Sequence, residues 1–173
     1  MRPAVPPSDV RSEALKLLSN GVYVLTTCGA DTLHAAAVTW ASQVSFLPPL
    51  VMVALRRNSR LAEAVRRAHR FALNILADDQ QAVAEQFFTH QTEPMSIDRL
   101  AGQQFRLSNG RCPLLINAMA WLECRLVAEP PCPGDHALML GEVIGAGVRR
   151  PGRPMVLWET PWSYGGIPDH EGS

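Results

Sequence analysis

The chain contains no apolar run approaching the ~20 residues that a membrane-spanning helix needs. Its opening, MRPAVPPSDVRSE, lacks the apolar centre of a secretory signal. Both absences lead to the expectation of a cytoplasmic protein that does not enter a membrane. Cysteine is sparse: Cys28, Cys112, Cys124 and Cys132 include no pair at C-x-x-C spacing, which excludes the simple zinc-ribbon and thioredoxin signatures. Without an export signal these thiols are expected to be reduced. An excess of basic charge is missing too. Lys plus Arg and Asp plus Glu stand at 16 each, for a formal net charge of zero. A groove that follows nucleic-acid phosphates normally leaves a surplus of Lys and Arg, so nucleic acid is not an expected partner. A local cluster can still hold a small anion.

The familiar catalytic motifs are also absent. The nearest approach to G-x-G-x-x-G is Gly145-Ala146-Gly147-Val148-Arg149-Arg150, which lacks the third glycine and precedes no helical pattern. There is no Walker A loop and no G-x-S-x-G elbow. The five histidines (34, 69, 90, 136 and 170) include no H-E-x-x-H, and no metal is expected.

What is present is a succession of short strands. The proline-containing residues 1–10 read as a disordered leader, and residues 11–168 as one domain. Ser8 can cap a short helix carrying Val10, Ala14, Leu17 and Leu18 at helical spacing. VYVLTTC (22–28) and LHAAAVTWASQVSF (33–46) read as strands, ended by Pro48-Pro49, and LVMVALR (50–56) follows as another. SRLAEAVRRA (59–68) is the clearest helix, with Ser59 as its cap and Leu61, Ala64, Val65 and Ala68 as its buried stripe. FALNILA (71–77) is a strand, and 79–88 a helix presenting Ala82, Val83 and Phe87. Residues 89–111 show no period and read as a loop. Strands are expected at 114–128, where a bend or bulge is anticipated, and at 136–149 and 155–160. This order lacks the β-α-β-α rhythm of a parallel doubly wound sheet. A mainly β fold, an antiparallel barrel with short flanking helices, fits it better.

Several of these segments together resemble the flavin reductase-like group of FMN-binding split barrels. They are NGVYVLTT (20–27), VTWASQVSFLPPLVMVAL (38–55), NSRLAEAVRRAHRFALNIL (58–76), CPLLINAMAWLECRLV (112–127), GDHALMLGEVIGAGV (134–148) and WETPWSYGG (158–166). The resemblance runs from about residue 14 to 166. It implies a split β-barrel of Greek-key type and NAD(P)H-dependent flavin oxidoreductase activity, with hydride passing from nicotinamide C4 to the flavin N5. Further implications are FMN or FAD as flavin, NADH or NADPH as co-substrate, a homodimer, and a partner monooxygenase that receives the reduced flavin. A flavin- or haem-binding module without turnover, or a bound-flavin oxidoreductase serving another acceptor, remains open.

The same segments supply candidate site residues. Thr39, Trp40, Ala41, Ser42 and Gln43 dot an apolar strand with polar groups, and the resemblance sets them beside the flavin ring; on their own they suit an ordinary strand equally well. Ser59 and Arg60 open a helix, whose unpaired N–H groups favour a phosphate, and Arg56, Arg57 or Arg60 can add a charge-assisted pair; on their own these residues suit a Ser-capped surface helix with solvated arginines equally well. The resemblance assigns this corner to the flavin phosphate. Phe71 and Asn74 fall on its F-x-x-N pattern, with either a flavin contact or a core role open. It also brings His136, which alone reads equally as a turn residue, to the open flavin face to position the nicotinamide; Trp158, Trp162 and Tyr164 are candidate covers for that face, with a dimer seam or core role open. Hydride transfer needs the two rings held face to face and no general base.

Overall fold

The computed structural model describes residues 7–167. In chain order the elements are α1 (Pro7–Lys16), β1 (Tyr23–Cys28), β2 (Thr32–Val38), β3 (Ala41–Ser45), β4 (Leu50–Arg56), α2 (Arg60–Ala68), β5 (Arg70–Ile75), α3 (Gln81–Glu85), β6 (Gln91–Pro94), β7 (Arg99–Leu100), β8 (Gln103–Leu107), β9 (Pro113–Leu115), β10 (Ala120–Ala128) and β11 (His136–Val148). A single 3₁₀ turn covers Leu157–Glu159. Eight strands form one sheet in the order β3-β4-β11-β10-β5-β1-β2-β6, and β7-β8-β9 form a second. Every described pairing is antiparallel. The protein is a mainly β barrel, as its strand-rich pattern predicts.

The strands β1 and β5 explain how the sheet curls. In each, four consecutive residues are buried, where a strand with one wet face would alternate. Val24 faces a core with Leu33, Leu76, Phe87, Leu100 and Met155. Its neighbour Leu25 faces the opposite core, built from Val53, Leu55, Phe71, Leu73 and Met139. Helix α2 closes that second core with Leu61, Ala62 and Val65. Ser59 caps it, its Oγ accepting from the Ala62 N–H at 3.1 Å, and His69 ends it in the left-handed region at φ 52°.

Several local expectations change. The long strand over 33–46 is two strands, because the chain switches partners at Thr39-Trp40: β2 pairs with β1 and β6, whereas β3 pairs with β4. The Trp40 carbonyl accepts from Ala54 N–H at 2.9 Å, which turns the backbone out of the first pairing and into the second. The helix over 79–88 contracts to Gln81–Glu85. The patternless 89–111 contains β6, β7 and β8. Within 114–128 the chain breaks between β9 and β10, and the anticipated bulge falls at Glu123/Cys124. Instead of a strand, 155–160 holds the 3₁₀ turn beside isolated bridges Gly21 to Val156 and Ala77 to Pro154. Of the expected leader, residues 1–6 lie outside the described residues. Residues 7–10 already belong to α1, where a proline is tolerated in the first turn because it lacks only an N–H that would have no helical partner.

Candidate functional site

The partner switch at Thr39-Trp40 leaves an opening in the barrel wall, and a cavity lies there, with a volume of about 720 Å³. Its lining includes Thr39, Trp40, Ala54, Arg56, Ser59, Arg60, Phe88, His90, His136, Trp162 and Tyr164, from segments far apart in the chain. One end is walled by rings. Trp40 lies 4.7 Å from His136 and 5.6 Å from Tyr164, centroid to centroid, with tilts of 53° and 56°. His136 opens β11 opposite Arg56, and its Nδ1 lies 2.7 Å from Asp135 Oδ1. That contact holds the Asp135 carboxyl below its ordinary range.

Next to the rings stands the first turn of α2. Ser59 and Arg60 line the cavity there, and the turn's N–H groups carry the partial positive charge of a helix start. The Thr39 hydroxyl oxygen is buried and has no hydrogen-bond partner among the described residues. An orphaned polar atom beside a cavity is a place for a ligand's donor or acceptor, so the lining fits a planar, phosphate-bearing group.

Thr39, Trp40, Ser59, Arg60, His136, Trp162 and Tyr164 are therefore brought together. The remaining candidates are not. Ala41, Ser42 and Gln43 line a different, smaller hollow with Tyr23, Leu50 and Leu73. Phe71 is fully buried over Gly141, where an added Cβ would lie 2.6 Å from the Phe71 ring. Asn74 is fully buried. Its amide nitrogen donates to Val24 O and Thr26 Oγ1, both at 3.2 Å, and its oxygen accepts from Leu115 N–H at 2.8 Å. Its capacity is used in pinning β9 to the sheet, which corrects the flavin-contact reading of both residues. Trp158 is 58% exposed and does not line the cavity.

Arg57 is the most informative departure. Its Nη2 donates to the carbonyls of Cys132, Gly134 and His136, the last two at 2.9 and 3.3 Å, and its own N–H donates to Asp135 O at 2.9 Å. The guanidinium is committed to the loop that delivers His136, not to the cavity, and this corrects the phosphate role expected of it. Arg66 adds a second tie: it donates to Arg57 O at 3.0 Å and grips Glu129 with two bonds of 2.8 Å.

Arg56, named with Arg57 and Arg60 as a candidate charge-assisted partner, does line the cavity; residues that sequence reasoning left out of the site are Phe88 and His90. Phe88 and His90 sit at the edge of the patternless segment, where no period marked them. His90 stacks on His34 at 5.3 Å. Burial lowers both imidazoles below their ordinary value, and at His90 the charges of His34 and Arg60 lower it further. Among the described residues no group of three or more His, Cys, Asp or Glu could hold a metal ion, and no helix is long and apolar enough to cross a membrane.

Fold and cavity define an antiparallel barrel with a ring-walled, cation-cornered opening. The model of the flavin reductase like domain matches residues 15–163, and the chain belongs to that family, whose chemistry is reduction of flavin by NADH or NADPH. It is 34% identical over 158 residues to the NADH:riboflavin 5'-phosphate oxidoreductase of Streptomyces pristinaespiralis, across 91% of this chain and 86% of that protein. Among solved structures it is similar to a nitrilotriacetate monooxygenase component B homologue from Mycobacterium thermoresistibile, with a TM-score of 0.77 and 25% identity over 95% of this chain and 89% of that one. The flavin reductase component of a bacterial two-component tryptophan halogenase gives a TM-score of 0.76 and 25% identity, over 94% and 98%. The chain also matches a diflavin flavoprotein of Synechocystis, of whose length it spans 24%.

Proposed function

We propose that the cavity at the Thr39-Trp40 switch is the flavin site of an NAD(P)H:flavin oxidoreductase that supplies reduced flavin to a partner monooxygenase. One observation carries this reading: a single cavity unites an aromatic wall, an orphaned hydroxyl and a helix start bearing Arg60. The bound flavin supplies the hydride-accepting chemistry. The chain's own part is placement. Trp40 and Tyr164 present ring surfaces, the Thr39 hydroxyl meets a polar atom of the ring edge, and Ser59 and Arg60 meet the phosphate. His136, steadied by Asp135, positions the nicotinamide.

The expected assembly is a homodimer in the cytoplasm. The hollow holding Ala41, Ser42 and Gln43 is an apolar sheet face with Tyr23, Leu73, Ile75, Leu122 and Val143. Beside it, Phe46 and Leu47 are 91% and 92% exposed. A patch of this kind favours a partner surface, and a second copy seated on it gives Ser42 and Gln43 a route to a shared flavin site.

The test uses the purified chain with NADH or NADPH and excess FMN or FAD, following loss of the reduced nicotinamide. Rapid consumption that depends on flavin is expected. His136→Ala raises the nicotinamide KM more than it weakens flavin binding. A Soret band without turnover would overturn the reductase reading.

A further inference from the structure

The cavity has two aromatic stations, and the reading above uses only the one at Trp40, His136 and Tyr164. The other lies further back along β2. There Phe88 meets Trp162 edge to face, with ring centroids 4.8 Å apart and planes at 85°. Both line the same cavity, as does His90. Strand β2 sets the spacing. Ala37 N–H donates to Phe87 O at 2.7 Å, which places Phe88 near Ala37, and His90 stacks on His34. From Ala37, beside Phe88, to Trp40 is about 10 Å of extended chain, at ~3.3 Å per residue.

The second station has the properties of a shelf. Phe88 is 51% exposed although it abuts Trp162, so its ring keeps an open face. The indole is oriented by donation from Trp162 Nε1 to Glu85 Oε1 at 3.2 Å. Ser59 and Arg60 line the same cavity as both stations, and Arg60 lies near enough to His90 for its charge to oppose protonation there. Two ring surfaces carried about 10 Å apart along the strand, sharing a cationic corner, match a molecule with a planar group at each end and phosphate between.

We propose that Phe88 and Trp162 receive the adenine ring of FAD. Its pyrophosphate then lies at Ser59 and Arg60 and its isoalloxazine at Trp40, so the chain binds FAD in preference to FMN. The isoalloxazine's place rests on the reductase reading; the adenine shelf is tested by binding alone. A stacked base is sensitive to loss of its aromatic partner by about tenfold.

The experiment is a fluorescence titration of the full chain with FAD and, separately, FMN, in wild type, Phe88→Leu and Trp162→Leu, alongside NADH and NADPH turnover. The expected result is wild-type affinity for FAD about tenfold above that for FMN. Either substitution brings FAD down to the FMN level and leaves FMN unchanged. Phe88→Leu retains an apolar side chain at a half-exposed position, so folding does not confound it. Equal wild-type affinities overturn the shelf, whatever the turnover shows. So does a pair of variants that raises the NADH KM while leaving FAD binding intact, since the shelf then serves the nicotinamide nucleotide. Flavin binding with the expected FAD preference but no turnover would support the shelf and overturn the reductase reading.

Discussion

Removing the Arg57 guanidinium separates two roles that the sequence alone could not distinguish. One Nη2 faces three carbonyls, of Cys132, Gly134 and His136, but an –NH₂ group has only two protons and makes at most two full bonds at once. A bond from a charged donor contributes about 1.5–3 kcal/mol net. The site is only part-buried, so the low end applies to each and solvent compensates part of the loss. Arg57→Ala keeps the backbone bond to Asp135 O and the β4–β11 pairing, leaving a net loss of about 1.5–2 kcal/mol in the order of the 132–136 loop. Since 1.4 kcal/mol is about tenfold in an equilibrium, the nicotinamide KM is expected to rise about tenfold or somewhat more. The flavin dissociation constant should stay within about twofold, because the guanidinium faces away from the cavity. Steady-state kinetics at saturating flavin and a fluorescence titration of flavin read the two quantities independently. A weakened flavin affinity with an unchanged nicotinamide KM would refute the loop-holding role and restore Arg57 as a phosphate ligand.

Three further outcomes are expected. Asn74→Leu leaves Leu115 N–H and the Val24 and Thr26 acceptors without their buried partner; it should cost about 2–3 kcal/mol, which is about 4–12 °C in Tm at this chain length, while flavin affinity holds. His34 and His90 are held below their ordinary value of 6.5, so the unfolded chain binds more protons as pH falls below that value. Stability is then full above pH 6.5 and declines as pH drops toward the folded values; a thermal-melt series across this window should show the decline, and His34→Leu should flatten it. Leu47→Glu places a charge on the exposed apolar hairpin beside Phe46 and should shift sedimentation from dimer to monomer without unfolding the barrel.

The elements that sequence patterning located best are those whose residues act locally. Ser59 caps α2 because a serine hydroxyl before an amphipathic run has an N–H within reach, whatever the rest of the chain does. The VYVLTTC and FALNILA runs were legible as strands, and their unbroken apolar character reflects burial on both faces. The break at Thr39-Trp40 is not legible, because the strand-like run continues unbroken through it, while the fold pairs β2 with β1 and β6 on one side and β3 with β4 in a local hairpin on the other. Arg57 misled for a related reason. Next to a helix start its charge reads as a phosphate ligand, and only the fold shows the 132–136 loop arriving to take its protons. Asn74 illustrates the same limit: a buried amide must be satisfied, but its partner on β9 lies about forty residues away, at Leu115.

The wall that carries Trp162 and Tyr164 is fastened to the first helix. Ile167 N–H donates to Ser12 Oγ at 2.9 Å. Gly166 passes so close to Ser12 and Lys16 at φ 79° that a side chain there would collide with both. None of this involves the two cores except through Trp162, which packs at the margin of one. The tie points of the wall are Trp162, Gly166 and Ile167, and between them Ser163 and Tyr164 line the cavity and belong to neither core. Variation in which nucleotide enters such a barrel has a tolerant place to accumulate at these two positions, and directed libraries confined to them should retune ligand choice while preserving expression and thermal stability.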